Sequence, residues 1–169
     1  RLDTDRLAAY VDLCGALVGR ALELDGETHL TMGDALSFDR SEAVSLALWF
    51  RSGSRNPTTL LQKIDPAQAR RGFEIAFDFA ELLVERKRGA HLSIHLIHRW
   101  PDDAIQVRTR ERLEVGEWHH LAVNYDGSGQ AAGLRVAING KPAAVEVVRD
   151  SLTGSIRNLS LKSVVCLPL

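Results

Sequence analysis

Three sets of side chains in this chain are of types that do chemistry: the carboxylates Glu74, Asp78 and Glu81, the imidazoles His91, His95 and His98, and the pair His119-His120. Glu74 and Asp78 alternate with Phe73, Ile75, Phe77 and Phe79, the period of a strand, so they share a face but stand four residues, roughly 13 Å, apart. Two carboxyls that cleave a glycosidic bond need to be about 5–9 Å apart. A solvated strand face is the better reading of that set. His91 and His95 are again roughly 13 Å apart along a strand, and His98 faces the other way, so one zinc ion cannot bridge them without a ligand from elsewhere. His119 and His120 are consecutive in a strand and project to opposite faces, which rules out a joint acid–base pair. No serine or cysteine nucleophile constellation can be assembled from the spacing.

Trp100 is the strongest binding candidate. Arg99 before it and Pro101-Asp102-Asp103 after it place a large aromatic in a loop beside groups that hydrogen-bond a sugar. An exposed indole offers a flat stacking surface. The candidate ligand-binding set is therefore Arg99, Trp100, Asp102 and Asp103. The competing reading is that the ring plugs the end of the fold, with Arg99 paired to Asp102 or Asp103.

These residues sit on elements that alternate with period two. Val44, Leu46, Leu48 and Phe50 alternate with Ser45, Ala47, Trp49 and Arg51; Leu92, Ile94 and Leu96 alternate with His91, Ser93 and His95; Ile105, Val107 and Thr109 form a half-exposed strand. In the run Trp118-His119-His120-Leu121-Ala122-Val123-Asn124-Tyr125 both faces carry bulky groups, which predicts a strand covered on both sides. Asp126-Gly127-Ser128-Gly129 then supplies the turn. Leu134–Ile138 leads through Asn139-Gly140, the pair that suits a type I′ turn, into a hairpin partner reaching Val148. Repeated short strands separated by turn signals predict an all-β antiparallel sandwich or jelly roll. The opening segment fits either a helical face (Leu7, Tyr10, Val11, Cys14, Leu17, Val18) or a strand over about 7–13; a sandwich favours the strand.

The 169 residues suit one domain, 1–169, and carry a formal charge of −1 with both signs interspersed. Neither a nucleic-acid footprint nor a polybasic membrane patch is indicated, and no apolar run is long enough for membrane insertion. The chain reads as a fragment or processed segment of a larger protein. Cys14 and Cys166 could meet if the first and last strands are neighbours, but buried unpaired cysteines are the better reading.

Four pieces resemble the laminin-G-like jelly rolls of the concanavalin A-like lectin and glucanase superfamily: Gly19-Arg20-Ala21-Leu22-Glu23-Leu24-Asp25-Gly26, Val44–Phe50, Trp118–Gly127, and Val136-Ala137-Ile138-Asn139-Gly140-Lys141-Pro142. The resemblance spans about residues 7–158. The stretch Arg99–Val107 is further similar to a subgroup found in large secreted planctomycete proteins, alongside cytochrome c-like domains and domains of unknown function. The resemblance implies a noncatalytic accessory module, secreted or in the cell envelope, that binds a polysaccharide, another glycan or a protein partner. A domain that packs against and orients its catalytic or redox neighbours is the alternative, and a glycoside hydrolase comes third. The resemblance also implies that Trp118 packs inside the sandwich while one neighbouring imidazole satisfies backbone groups at a turn. Calcium is the one cofactor it suggests, with Asp25, Asp34, Asp65 and Asp126 near loops, though turn capping explains each aspartate as well. The chain departs from the family after Asn158, where the usual closing strand is absent, and the segment Leu159–Val165 is expected to pair into the sheet in its place.

Overall fold

The computed structural model describes residues 30–31, 36–53, 58–78, 89–158 and 164–165. The readings made for residues 7–18, Cys14, Cys166, Asp25, Asp34, Phe79, Glu81 and 159–163 lie outside that set. Within it, alternating sequence becomes two facing antiparallel sheets. Eleven strands are described: β1 (Leu30–Thr31), β2 (Val44–Phe50), β3 (Thr58–Asp65), β4 (Arg71–Asp78), β5 (His91–Arg99), β6 (Asp103–Thr109), β7 (His119–Tyr125), β8 (Leu134–Ile138), β9 (Lys141–Pro142), β10 (Val145–Asp150) and β11 (Val164–Val165). One sheet runs β1-β11-β3-β4-β5-β6-β10 and the other β2-β7-β8-β9. Among the described residues no helix is long and apolar enough to cross a membrane.

The core lies between the sheets. Phe73, Ile75 and Phe77 of β4, Leu92, Ile94 and Leu96 of β5, and Ile105 and Val107 of β6 meet Phe50, Leu121, Val123, Tyr125, Leu134 and Val136 from the smaller sheet. Phe50 meets Phe77 edge-on at 5.5 Å between ring centroids, and Phe38 covers Phe73 at 5.1 Å. Each large side chain buried here contributes about 1.5–3 kcal/mol from removal of apolar surface from water.

Three features differ from the expectation or extend it. β3 escapes alternation because a register shift between Thr59 and Leu61 lets the consecutive Leu60 and Leu61 both be buried; a bulge breaks the period-two signal. The hairpin after Asn139-Gly140 is shorter than predicted. Asn139 (φ 51°) and Gly140 (φ 76°) do form a turn with two positive φ values, but the returning strand is Lys141–Pro142, and the pairing onto β8 ends with Ala143 N donating to Val136 O (2.9 Å). The chain then changes sheets, and Val145–Asp150 pairs with β6 as the edge of the larger sheet. The third feature is β11, whose Val164 and Val165 pair with β1 on one side and with Gln62 and Leu61 of β3 on the other. Of the segment Leu159–Val165 expected to pair into the sheet, Val164 and Val165 are described and do so.

Residues 151–158 contain no strand, yet two aspartates hold them across the end of the sandwich. Asp103 accepts hydrogen bonds from Thr153 N (2.6 Å), Thr153 Oγ1 (3.1 Å) and Gly154 N (3.3 Å). Asp39 accepts from Ile156 N (3.0 Å) and Ser155 Oγ (2.8 Å). Between these anchors Leu152 and Ile156 are buried. Burial pushes both carboxyls up, but the hydrogen bonds, with Arg157 beside Asp39 and His98 beside Asp103, outweigh it and hold both below the ordinary carboxylate value. A depressed carboxyl contributes stability that is present above its unfolded value of about 3.9 and is lost as pH falls through the folded value. Asp39→Asn and Asp103→Asn are each expected to lower Tm at pH 7 by about 2–4 °C, from the loss of about 1 kcal/mol of charge-assisted hydrogen bonding at a solvent-screened site. The gap from wild type should close as pH falls below about 4. Thermal melts across pH 2.5–7 check this, and a gap that persists at the acid end contradicts it.

Candidate functional site

Each sheet turns one set of side chains outward, and chemistry-bearing residues collect on both outer faces. On the larger sheet the register aligns Gln62, Glu74, His95, Gln106 and Arg149 across β3, β4, β5, β6 and β10. At about 4.8 Å between strands this row spans roughly 19 Å. Glu74 is buried, not the solvated carboxylate its alternation suggests. It accepts hydrogen bonds from Thr59 Oγ1 (2.9 Å) and Arg70 Nη2 (2.8 Å), and His95 Nδ1 lies 3.6 Å away. Ser93, one row along on the same face, is 2% exposed and its hydroxyl has no hydrogen-bond partner among the described residues.

Trp100 belongs to this face. The turn Trp100-Pro101-Asp102 joins β5 to β6 and brings the indole back over the sheet, where it meets His95 edge-on at 5.3 Å and Arg149, whose guanidinium lies 5.0 Å from the ring centroid. A guanidinium over an indole face is attracted by the ring quadrupole. Trp100 N donates to Ala69 O (2.9 Å). Ala69 (φ 53°) and Arg70 (φ 62°) are both left-handed, a conformation costing about 1–3 kcal/mol per residue. The strained turn presents one carbonyl to Trp100 and one guanidinium to Glu74, tying the Trp100 turn to the polar row.

Of the predicted set, Arg99 and Asp102 are exposed and Trp100 and Asp103 are half-buried. The four share one turn, but their roles divide. Asp103 is committed to Thr153 and Gly154, and the Asp102 carbonyl accepts from Ser151 Oγ (2.8 Å). The indole returns to the sheet face, against His95 and Arg149. The three histidines of β5 are not brought together: His91 donates to Thr109 O (2.8 Å), His98 donates to Ser155 O (2.7 Å), and His95 faces Glu74. Asp65 caps its turn by accepting from Ala67 N (2.9 Å), and Asp126 accepts from Ser128 N (2.9 Å). Among the described residues no group of three or more His, Cys, Asp or Glu could hold a metal ion.

The smaller sheet holds what sequence reasoning missed. His119 points inward, is buried against Phe50 and donates from Nε2 to Glu114 O (3.0 Å), the turn role expected of one imidazole. Trp118, expected inside, is 46% exposed, and Trp49 is 65% exposed. The cause is parity. Trp118 has the phase of His120, Ala122 and Asn124, and among the described residues no layer covers that side of β7. The signal was present in the sequence, since Trp49 has the phase of Ser45 and Ala47, opposite to the buried Phe50.

Residues 24–160 match the protein family described as the concanavalin A-like lectin/glucanases superfamily. A crystal structure of a native heptameric SAP-like pentraxin from Limulus polyphemus has a similar fold, with a TM-score of 0.55 at 15% identity. The alignment covers 86% of this chain and 65% of the pentraxin chain, so this chain spans less than two thirds of it. At that identity the likeness concerns the fold alone. No curated protein matches.

The three indoles differ in exposure, and acrylamide quenching reads the difference. Trp49→Phe should remove the largest share of quenchable emission, Trp118→Phe a smaller one, and the half-buried Trp100→Phe the smallest. Equal quenching losses from all three substitutions contradict the placement.

Proposed function

The chain belongs to the concanavalin A-like lectin and glucanase superfamily, and on that premise we propose that it is a noncatalytic recognition module for carbohydrate within an exported, multidomain protein. The observation that carries this reading is the row on the outer face of the larger sheet, where Gln62, Glu74, His95, Gln106 and Arg149 stand in register with Trp100 folded over one end. A sugar offers an apolar ring face and a rim of hydroxyls. Trp100 meets the first, and the amides, imidazole and guanidinium meet the second. Of the predicted contacts, Trp100 leads, with Arg99 and Asp102 beside it on the exposed turn and Asp103 holding residues 153–154 behind it. Because the row is built on strands, little ordering cost accompanies binding.

Hydrolysis fits the face poorly. Glu74 and Glu146 lie on strands three steps apart in the sheet order, roughly 14 Å by strand spacing. That exceeds the range for a pair of catalytic carboxyls, and Glu146 is already held by Arg108 (2.7 Å). A second reading, a packing domain that orients its neighbours, draws on one observation: Val147 and Val148 are exposed on the β10 edge, where another chain segment could pair.

A screen of polysaccharides and glycans, run with and without calcium, tests the proposal and the metal together. Trp100→Ala is expected to weaken binding to any ligand found by about tenfold, with the melting temperature followed in parallel to report packing loss. Binding that Trp100→Ala leaves unchanged removes the site, and steady turnover of a polysaccharide removes the noncatalytic reading.

A further inference from the structure

The outer face of the smaller sheet lies on the other side of the sandwich from Trp100. There Trp49 of β2 stands opposite His120 of β7, their ring centroids 5.0 Å apart. The Arg51 guanidinium lies 5.5 Å from the Trp118 ring centroid. Trp118 immediately precedes β7, two residues before the His120 that faces Trp49; strand geometry continued by one residue sets the two indoles on a diagonal of about 7–8 Å, within reach of one ligand. The next row across β2, β7 and β8 is Ala47, Ala122 and Ala137, and beyond it come Ser45, Asn124 and Arg135. Asn124 Nδ2 donates to Ser45 Oγ (2.6 Å). The alanines floor a shallow open depression of about 760 Å³, with Asn124, Arg135 and Pro142 among its walls.

We propose that this face is a second carbohydrate site, which takes an extended neutral polysaccharide with its pyranose faces on Trp49 and Trp118 and its chain continuing over the alanine row. The proposal rests on the reading of the chain as a carbohydrate-recognition module, but on different residues. Three observations select the occupant. The first is chemical alternation: two exposed indoles, one of them with the Arg51 guanidinium over part of its ring, share the face with the polar groups of His120, Asn124 and Arg135, matching a ligand with apolar faces and hydroxyl edges. The second is charge. Arg51 and Arg135 are matched in formal charge by Glu117 and Asp126, which adjoin Trp118 and Tyr125 in sequence, so net charge does not select a polyanion. The third is area. Two partly exposed indoles offer on the order of 250 Å², and alanines add little, whereas a stable protein interface buries about 800 Å² on each partner. The patch is too small for a second copy of this chain and large enough for a few sugar units.

Affinity electrophoresis of the whole chain through gels containing hydroxyethylcellulose or soluble xylan tests the proposal. Wild type is expected to be retarded by at least one polymer, and Trp49→Ala and Trp118→Ala are each expected to raise the apparent dissociation constant about tenfold. Trp49→Phe and Trp118→Phe should retain much of the binding, and all four variants should melt within a few degrees of wild type because both indoles are exposed. No retardation of wild type by either polymer overturns the proposal, as does retardation that the double variant Trp49→Ala/Trp118→Ala keeps in full. Retardation lost in Trp100→Ala but kept in the double variant overturns this site and leaves the recognition function standing. A dimer seen by sedimentation that Trp49→Ala dissociates assigns the face to a second copy and overturns it equally.

Discussion

Everything in this domain depends on the burial of one side of each sheet against the other. The contact of Phe50 with Phe77 sits within a seam of large aliphatic and aromatic residues drawn from alternate positions of β2, β4, β5, β6, β7 and β8. Slipping any of these strands by one residue would turn its apolar set to solvent, at about 1.5–3 kcal/mol for each large side chain. The seam therefore sets register, and register decides which residues face outward together. Glu74, His95, Gln106 and Arg149 become neighbours although they are spread over 76 positions, and so do Trp49 and His120.

The outer faces differ in how they are finished. On the larger sheet the Trp100 turn returns over the polar row and is held there by a backbone hydrogen bond from a left-handed corner, so that its indole is partly consumed by contacts with His95 and Arg149. On the smaller sheet no turn returns among the described residues, and two indoles stand in the open beside alanines. The first arrangement yields a shaped, hydrogen-bonding surface, the second a flat one. Both rest on rigid strands, and that rigidity suits recognition of a ligand as soft and hydrated as a sugar chain.

A different economy holds the ends. Residues 151–158 bury only two large apolar side chains, Leu152 and Ile156, and are positioned by carboxylates that accept backbone amides, Asp39 from one loop and Asp103 from the start of β6. Tyr125 adds a third fastening: its hydroxyl donates to Arg40 O and accepts from Gly129 N (2.7 Å), linking the loop after β7 to the one before β2. Strand pairing does not reach these segments, so side-chain acceptors satisfy their amides.

Alternation alone established the all-β class, most of the strands, the inward face of each, the positive-φ turn at Asn139-Gly140 and the separation of His119 from His120, because each of these is a local property of a chain with period two. It also carried the exposure of Trp49 and Trp118, which the expectation of a strand covered on both sides obscured. Four things were settled only in three dimensions: the bulge that hides β3, the departure of Val145–Asp150 to the other sheet, the burial of Glu74 and the return of Trp100 over His95. Each depends on a partner distant in sequence, Ile75 for Leu61, Val107 for Val147, Thr59 for Glu74 and Arg149 for Trp100. Periodicity reports which side of a strand a residue occupies but not what lies across from it, and the candidate sites are made of what lies across.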